Sequence, residues 1–188
     1  MKDIILGTGV FIYPFGLCSI LMVFITIERL IALRRNRIIP SEILESLENG
    51  QFAQASNPDS VMGRIINFFQ ENKPSSGSLK AYARYEVSRL ERGFFILEII
   101  TGAAPLIGLL GTVTGLVSVF ANFSIGTSPD SEVFVQGIAL ALTTTLIGLT
   151  IAIPSLVANS YLNRKVEALA AKIELGMESL ISSHESSN

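Results

Sequence analysis

The sequence predicts an all-α membrane protein with three transmembrane helices, and three observations lead to this fold class. Apolar residues make up 49% of the 188 residues and charged residues only 16%, against about 25% charged residues in ordinary soluble domains. The mean hydropathy is +0.50. The apolar residues also lie in blocks without a single charge, at 10–27, 99–128 and 133–163. About 20 apolar residues let a helix cross a bilayer, so the second and third blocks predict long helices that continue into the cytoplasm.

The distribution of positive charge predicts the topology. Of the 14 lysines and arginines, only Lys2 precedes the first span and none lies in the connection at 122–132. Excess lysine and arginine mark the cytoplasmic side of a membrane protein, so the N-terminus is predicted outside and the C-terminus inside. The predicted divisions are an N-terminal segment with the first span (1–33), a cytoplasmic helical segment (34–93), the second and third spans with a short periplasmic loop (94–161), and a cytoplasmic C-terminal helix and tail (162–188).

Helix start and stop signals divide the cytoplasmic segment. Ser41 and Gly50 bound one predicted helix, and Asp59 or Ser60 can cap a second over 61–72. The Lys-Pro-Ser-Ser-Gly stretch at 73–77 predicts a break. Ser78 then caps a helix that we expect to run from residue 79 through the second span without interruption.

The C-terminal helix has an apolar stripe at spacings of three and four residues. Its members are Leu162, Val166, Leu169, Ile173, Met177 and Leu180. The chain offers little else to cover this stripe, so we expect neighbouring subunits to bury it.

Residues that carry common chemistries are scarce. Cys18 and His184 are the only cysteine and histidine, and the chain has no Walker sequence, so we predict no enzyme, no cofactor and no fixed metal site. A basic stripe with interleaved aromatic residues is also absent, which argues against nucleic acid as a partner. The blocks at 99–128 and 133–163 contain no ionisable side chain. If this chain moves ions, a partner must bring the charge.

Small and hydroxyl residues instead recur at helical spacing along the second and third spans. The second span has Gly108, Gly111, Thr112, Gly115 and Ser118, and the third has Gly137, Ala141, Thr145, Gly148, Ala152, Ser155 and Asn159. Such stripes let helix backbones approach closely, so helix packing alone explains them as well as a polar pore lining does. Thr112 and Thr145 lie at the middle of the stripes, and their hydroxyl groups favour the interpretation that the stripes line a polar pore. Pro105 and Pro154 can kink their helices, either to shape a lumen or to pack.

Two motifs in these spans resemble a known family. APLIGLLGTVTGL at 104–116 and GIALALTTTLIGLTIAIP at 137–154 are similar to the MotA/TolQ/ExbB proton channel family of ion-driven motor subunits, and closest to its ExbB and TolQ members. The segment with Tyr13-Pro14 and Glu28-Arg29 also resembles the first span of ExbB-type proteins. The similarity covers nearly the whole chain.

The resemblance implies an architecture and a function. The fold would be a pentameric bundle, a homopentamer in the bacterial inner membrane with a pore lined by spans two and three. A dimer of ExbD/TolR-like single-span subunits inside the pore would bring an essential aspartate. Ion passage would drive rotation and mechanical work on the cell envelope, for example TonB-dependent import through a TonB-like or TolA-like transducer. A passive oligomeric membrane scaffold is the alternative.

The resemblance also implies which residues form the ion pathway. The pore threonines of the family correspond to Thr112 and Thr145. Many ExbB and TolQ proteins have a glutamate where this chain has Leu140, which weakens a strict proton assignment. The Thr144-Thr145 pair resembles that of sodium-type flagellar stators, so Thr144 joins the predicted pathway and transient sodium at the pair is the only metal expected. Proton and sodium both stay open, and we prefer the proton.

Overall fold

The computed structural model describes residues 9–33, 38, 60–121 and 131–186. A short 3-10 turn leads into α1 (Ile12–Ala32). It is followed by α2 (Val61–Asn72), α3 (Ser76–Leu90), α4 (Phe94–Ala121) and the 56-residue α5 (Ser131–Ser186). All regular structure in these ranges is helical, as predicted. The predicted helix at 41–50 and the connection between α4 and α5 lie outside the described residues.

Three helical stretches are long and apolar enough to cross a membrane. They are Gly9–Ala32, Phe94–Ala121 and Phe134–Ser182, and they confirm the three predicted spans. The chain divides into two compact units. We call Met1–Ile27 with Phe94–Ser160 the apolar unit, and Glu28–Gly93 with Tyr161–Asn188 the charged unit. The side of the membrane on which each end lies stays a prediction.

Capping explains where α2 and α3 begin. Ser60, one of the two caps that the sequence allowed, is the N-cap of α2, and its hydroxyl accepts a hydrogen bond of 3.0 Å from the Gly63 N–H. Lys73 ends this helix in the left-handed conformation, with its N–H donating to Phe69 O. The next N-cap is Ser75 and not the expected Ser78. The prediction was three residues late because three serines and a glycine leave several possible caps in this stretch.

The expected continuous helix from residue 79 through the second span is wrong. α3 ends at Leu90, and a turn over 91–93 separates it from α4. Gly93 has a φ of 85°, a left-handed conformation that glycine adopts without the steric cost of a Cβ atom. A glycine in this conformation commonly ends a helix. The second span therefore begins as a separate helix at Phe94.

The charged unit buries the apolar stripe of the C-terminal helix within this chain. Leu162 and Leu180 are at most 1% exposed, as are Ile65 of α2 and Leu79 of α3. The expectation that neighbouring subunits cover the stripe is therefore wrong. The sequence suggested it because the chain offers little else to cover the stripe, but the buried apolar residues of α2 and α3 belong to the same compact unit as the stripe.

A buried ion-pair cluster in the charged unit links α2 to α3. Arg64 of α2 donates to Oε2 of Glu86 from Nη2 at 2.6 Å and from Nε at 3.0 Å. Arg89 donates to Oε1 of the same carboxylate at 3.2 Å. Beside them, the rings of Phe68 and Tyr82 stack with centroids 4.2 Å apart. Burial raises the pKa of Glu86, but the hydrogen bonds and charges of Arg64 and Arg89 outweigh it, so this pKa lies below its usual range.

Replacing Glu86 with glutamine is expected to destabilise the charged unit. The Glu86 side chain is only 2% exposed, and its loss of charge leaves two arginines facing each other. Breaking a buried pair costs about 3–5 kcal/mol, but both arginines are partly exposed to solvent, so we expect about 2 kcal/mol. Unfolding of the purified variants in detergent measures this loss.

The pH dependence of the loss follows from the lowered pKa of Glu86. A lowered folded-state pKa stabilises the protein above the unfolded value of about 4.3, and this stabilisation disappears as the pH falls through the folded value. The difference between wild type and Glu86→Gln should therefore vanish in acid. Glu91→Gln, at an exposed position in the following turn, is the control. Equal stability of both variants at neutral pH would contradict the assignment.

The apolar unit places α1 against α4 and α5. Phe15 of α1 belongs to one buried cluster with Ile100 and Ala104 of α4 and with Ile151 and Ala152 of α5. The other large side chains of α1 are mostly exposed on the single chain, with Tyr13, Leu17, Ile20 and Phe24 between 60% and 77% exposed. In a membrane-spanning helix such a surface contacts lipid or another subunit.

Candidate functional site

Glycines let the backbones of α4 and α5 touch. The buried faces of the two helices include Gly108, Gly111 and Gly115 on α4 and Gly137 and Gly148 on α5. A Cβ atom added at Gly148 would lie 2.5 Å from Ala104 O, and one added at Gly115 would lie 2.6 Å from Gly137 O. No real Cβ atom approaches a backbone oxygen so closely. The predicted packing function of these glycines therefore has a direct geometric basis.

Thr144 lies inside this helix pair. It is 0% exposed, and its side chain fills the space that a Cβ at Gly111 would need. Its hydroxyl donates to the carbonyls of Leu140 and Ala141 on its own helix, each at 3.0 Å. A threonine bonded to its own preceding turn is common in membrane helices. The Thr144 hydroxyl is therefore satisfied within α5.

Thr145 lies at the edge of the pair. It is half-buried, and its hydroxyl donates across to Gly108 O of α4 at 3.3 Å. Thr112 is one helical turn beyond Gly108 and is also half-buried. Its hydroxyl donates to Leu109 O at 2.6 Å. The structure thus brings Thr112 and Thr145 to the same edge of the α4/α5 pair, on either side of Gly108, while Thr144 points inward.

The remaining predicted stripe residues fall into two groups. Ala141, Ala152 and Ser155 are buried, and the Ser155 hydroxyl donates to Leu97 O of α4 at 3.0 Å. Ser118 is exposed and bonds Gly115 O of its own helix at 2.8 Å. Asn159 is half-buried, and its Oδ1 atom has no hydrogen-bond donor among the described residues. Ser155 therefore joins the two helices, and the Ser118 hydroxyl lies 3.5 Å from the Cβ position of Gly137 on α5.

The edge at Gly108 offers oxygen atoms but no charge. Its hydroxyls and carbonyls can accept a hydrogen bond or ligate a hard cation. None of these groups gains or loses a proton at neutral pH. Leu140, an apolar residue of α5 that cannot carry a charge, is half-buried. Within the part of the chain that the structure describes, no group of three acidic, histidine or cysteine residues is placed to hold a metal.

One ionisable residue of the second candidate span lies just before the predicted charge-free block. Glu98 lies within the second candidate span, Phe94–Ala121. It was passed over because the charge-free block was counted from residue 99, whereas the helix begins five residues earlier. The signal that could have found it is the apolar run Phe-Phe-Ile-Leu before Glu98, which already belongs to the span.

Comparison with known proteins finds one family along most of the chain. The sequence profile of the MotA/TolQ/ExbB proton channel family matches residues 45–175. The chain is 36% identical over 117 residues to the biopolymer transport protein ExbB of Helicobacter pylori, a match that covers 61% of this chain and 77% of that protein. It is 28% identical over 193 residues to the biopolymer transport protein exbB1 of Vibrio cholerae, covering 88% and 80%. Identity to ExbB of Aquifex aeolicus is 33% over 108 residues, covering 57% and 72%.

Proposed function

Because this chain belongs to the MotA/TolQ/ExbB proton channel family, as its two motifs indicated, we propose that it is an ExbB/TolQ-like subunit of an ion-driven motor. It acts in the bacterial inner membrane, with its N-terminus outside. Five copies surround a dimer of ExbD/TolR-like single-span subunits. The ion-motive force across the membrane becomes mechanical work on the cell envelope, such as the biopolymer transport for which its relatives are named.

The observation that carries this proposal is the uncharged edge of the α4/α5 pair. Thr112 and Thr145 lie there on either side of Gly108, with one hydroxyl bonded across the helices. Hydroxyl groups alone do not move protons through a membrane, since proton relays depend on ionisable groups. A partner that brings an aspartate to this edge would complete the pathway, and the threonine hydroxyls would then hydrogen-bond to its carboxylate.

The three predicted pathway residues differ in how well their hydroxyl groups can reach an ion. Thr112 and Thr145 can reach an ion or a partner carboxylate at the edge of the pair. Thr144 can do so only if its hydroxyl turns out of the α4/α5 contact, where its side chain now lies against Gly111. We therefore assign Thr112 and Thr145 to the pathway and Thr144 to positioning of α5. Sodium at the Thr144–Thr145 pair is the less favoured reading, and the proton remains our preference.

Co-reconstitution in liposomes tests the function. The chain is purified with the single-span protein encoded beside it, and proton and sodium gradients are imposed separately. We expect ion uptake only with both subunits present, and an Asp→Asn change in the span of the partner should abolish it. A proton flux that persists in sodium-free buffer would support the proton, and strict sodium dependence would overturn that preference. An assembled complex that passes neither ion would favour the passive scaffold.

A further inference from the structure

A groove lies between α3 and α5 in the charged unit. It has a volume of about 270 Å³. Val87 of α3 and Ile173 and Met177 of α5 are among the residues that line it, and the last two are at most 5% exposed. Hydrophobic grooves between helices receive the apolar side chains of a further helix. The apolar floor of this groove is therefore suited to a helix that approaches from outside the chain.

Charged side chains at the rim of the groove have no ion-pair partner in the single chain. Lys80 and Arg84, one turn apart on α3, make one wall positive, and Glu174 lies on the wall formed by α5. All three are exposed. The ion pairs among the described residues form around Glu28 and Glu86. The three rim charges therefore remain available to a charged partner.

A ridge on α5 has the complementary character, and it consists of Lys172, Leu175 and Glu178. Leu175 is 66% exposed, the highest value for a large apolar side chain among the described residues of the charged unit. Lys172 and Glu178 are exposed as well, and residues three apart are neighbours on a helix surface. Leu175 is two residues from both Ile173 and Met177, which is more than half a turn, so it points away from the floor of the groove in its own chain.

Two copies that cross the same membrane in the same direction bring ridge and groove to the same level. Lys80 borders an open concavity together with Leu175 and Glu178 of its own chain, so these residues lie at nearby levels along α5. Glu174 is two residues from Lys172, about 3 Å along the helix axis. A parallel neighbour therefore offers its Glu178 near the basic wall of the groove and its Lys172 near Glu174. Opposite charges at both places favour this register over others.

We propose that the groove between α3 and α5 binds the ridge of a second copy of this chain, so that Leu175 of one copy lies against Val87 of the next. Ridge and groove are different surfaces, and each copy therefore contacts one neighbour through its ridge and the other through its groove. Head-to-tail contacts of this kind generate closed rings. The inference rests on the proposed function, which needs several copies, and adds that the charged unit holds neighbouring copies together.

Disulfide cross-linking in membranes that contain the chain and its single-span partner tests this contact. Cys18 is the only cysteine, so Cys18→Ser provides the background. Two chains with different tags are co-expressed: the ridge chain has Leu175→Cys and the groove chain has Val87→Cys. Each chain then has one cysteine, so any disulfide joins two copies. We expect a dimer that carries both tags, since a disulfide requires Cα atoms within about 7 Å.

The control for Val87→Cys is Tyr85→Cys in the groove chain. Tyr85 is 58% exposed, but it is two residues from Val87 and therefore lies on a different face of α3. Its ring is tilted against that of Tyr82, which stacks on Phe68 of α2. This control should give about a tenth of the two-tag dimer or less, because a disulfide needs the same short distance.

Charge reversal in one chain at a time tests the polar part of the contact. Glu178→Lys in the ridge chain opposes Lys80 and Arg84 and should lower the dimer yield about fivefold, since like charges disfavour a contact. Lys80→Glu with Arg84→Glu in the groove chain should restore the yield. Rescue between separate chains excludes an effect within either one. Glu71→Lys in the ridge chain, at an exposed position of α2, is the matched control and should leave the yield unchanged.

The outcomes separate this inference from the proposed function. If native mass spectrometry finds the pentamer with the partner but the two-tag dimer is absent or equals the Tyr85→Cys control, the inference fails and the proposed function stands. If the chain stays monomeric, the proposed function fails and the inference fails with it. Disulfides between ridge chains alone would show a two-fold contact and overturn the head-to-tail arrangement. A two-tag dimer that Glu178→Lys does not weaken would overturn the charge pairing.

Discussion

Replacing Gly148 with alanine is expected to loosen the contact between α4 and α5. The added Cβ would lie 2.5 Å from Ala104 O and 3.3 Å from the Cα atom of Gly108, so backbone atoms must move apart. Overpacking of a tight contact costs about 1–3 kcal/mol, and we expect the upper half of that range because no flexible side chain can give way. Thermal or denaturant unfolding in detergent, followed by circular dichroism, measures the change.

Gly102→Ala is the matched control for Gly148→Ala. Gly102 is a glycine of α4 with nothing within 4 Å of its Cβ position. Alanine has a higher helix propensity than glycine by about 1 kcal/mol, so this variant should be neutral or slightly more stable. The two glycine-to-alanine changes are therefore expected to act in opposite directions. Similar effects of both changes would show that α4 and α5 do not pack through Gly148.

Thr145→Val is expected to abolish ion-driven activity and to leave the assembly intact. Valine keeps the volume of threonine and removes the hydroxyl that donates to Gly108 O at 3.3 Å. Hydrogen bonds between membrane helices contribute about 0.6 kcal/mol on average, which is too little to unfold the helix pair. We expect at least a tenfold loss of ion uptake in the reconstituted complex, because the partner carboxylate loses a hydrogen-bonding group.

The control for Thr145→Val is Thr150→Val on the same helix. Thr150 is exposed, and its hydroxyl donates only to Leu146 O, one turn earlier, at 2.8 Å. This variant should conduct as wild type. Native mass spectrometry should find the proposed pentamer with the partner in both variants. Full activity of Thr145→Val would reduce Thr145 to a packing residue, and loss of the pentamer in that variant alone would assign the defect to assembly.

The sequence by itself determined the membrane character of the chain and its family. Crossing a bilayer depends on the length and polarity of a segment, so the uncharged blocks predicted the spans Gly9–Ala32, Phe94–Ala121 and Phe134–Ser182 without knowledge of their packing. The Ser60 cap was also predictable, because capping involves only neighbouring residues. The motifs at 104–116 and 137–154 were sufficient to identify the family, and the family profile that matches residues 45–175 confirms this identification.

Only the tertiary structure decided which face of each helix packs against a neighbouring helix. Thr144 and Thr145 differ by 100° around α5, and both are polar residues beside small ones, so the sequence does not show which points inward. The rotation of α5 is set by close contacts at Gly111 and Gly148. These contacts bury Thr144 and leave Thr145 at the edge.

Long-range packing also explains two of the expectations that failed. The break at Gly93 depends on where α3 and α4 must each pack, which the apolar spacing around it does not reveal. The apolar spacing of the C-terminal helix predicts that one face is buried, but it does not identify the residues that cover this face. The stripe therefore looked uncovered in the sequence. Leu162 and Leu180 are buried in the single chain, within the compact unit that also contains α2 and α3.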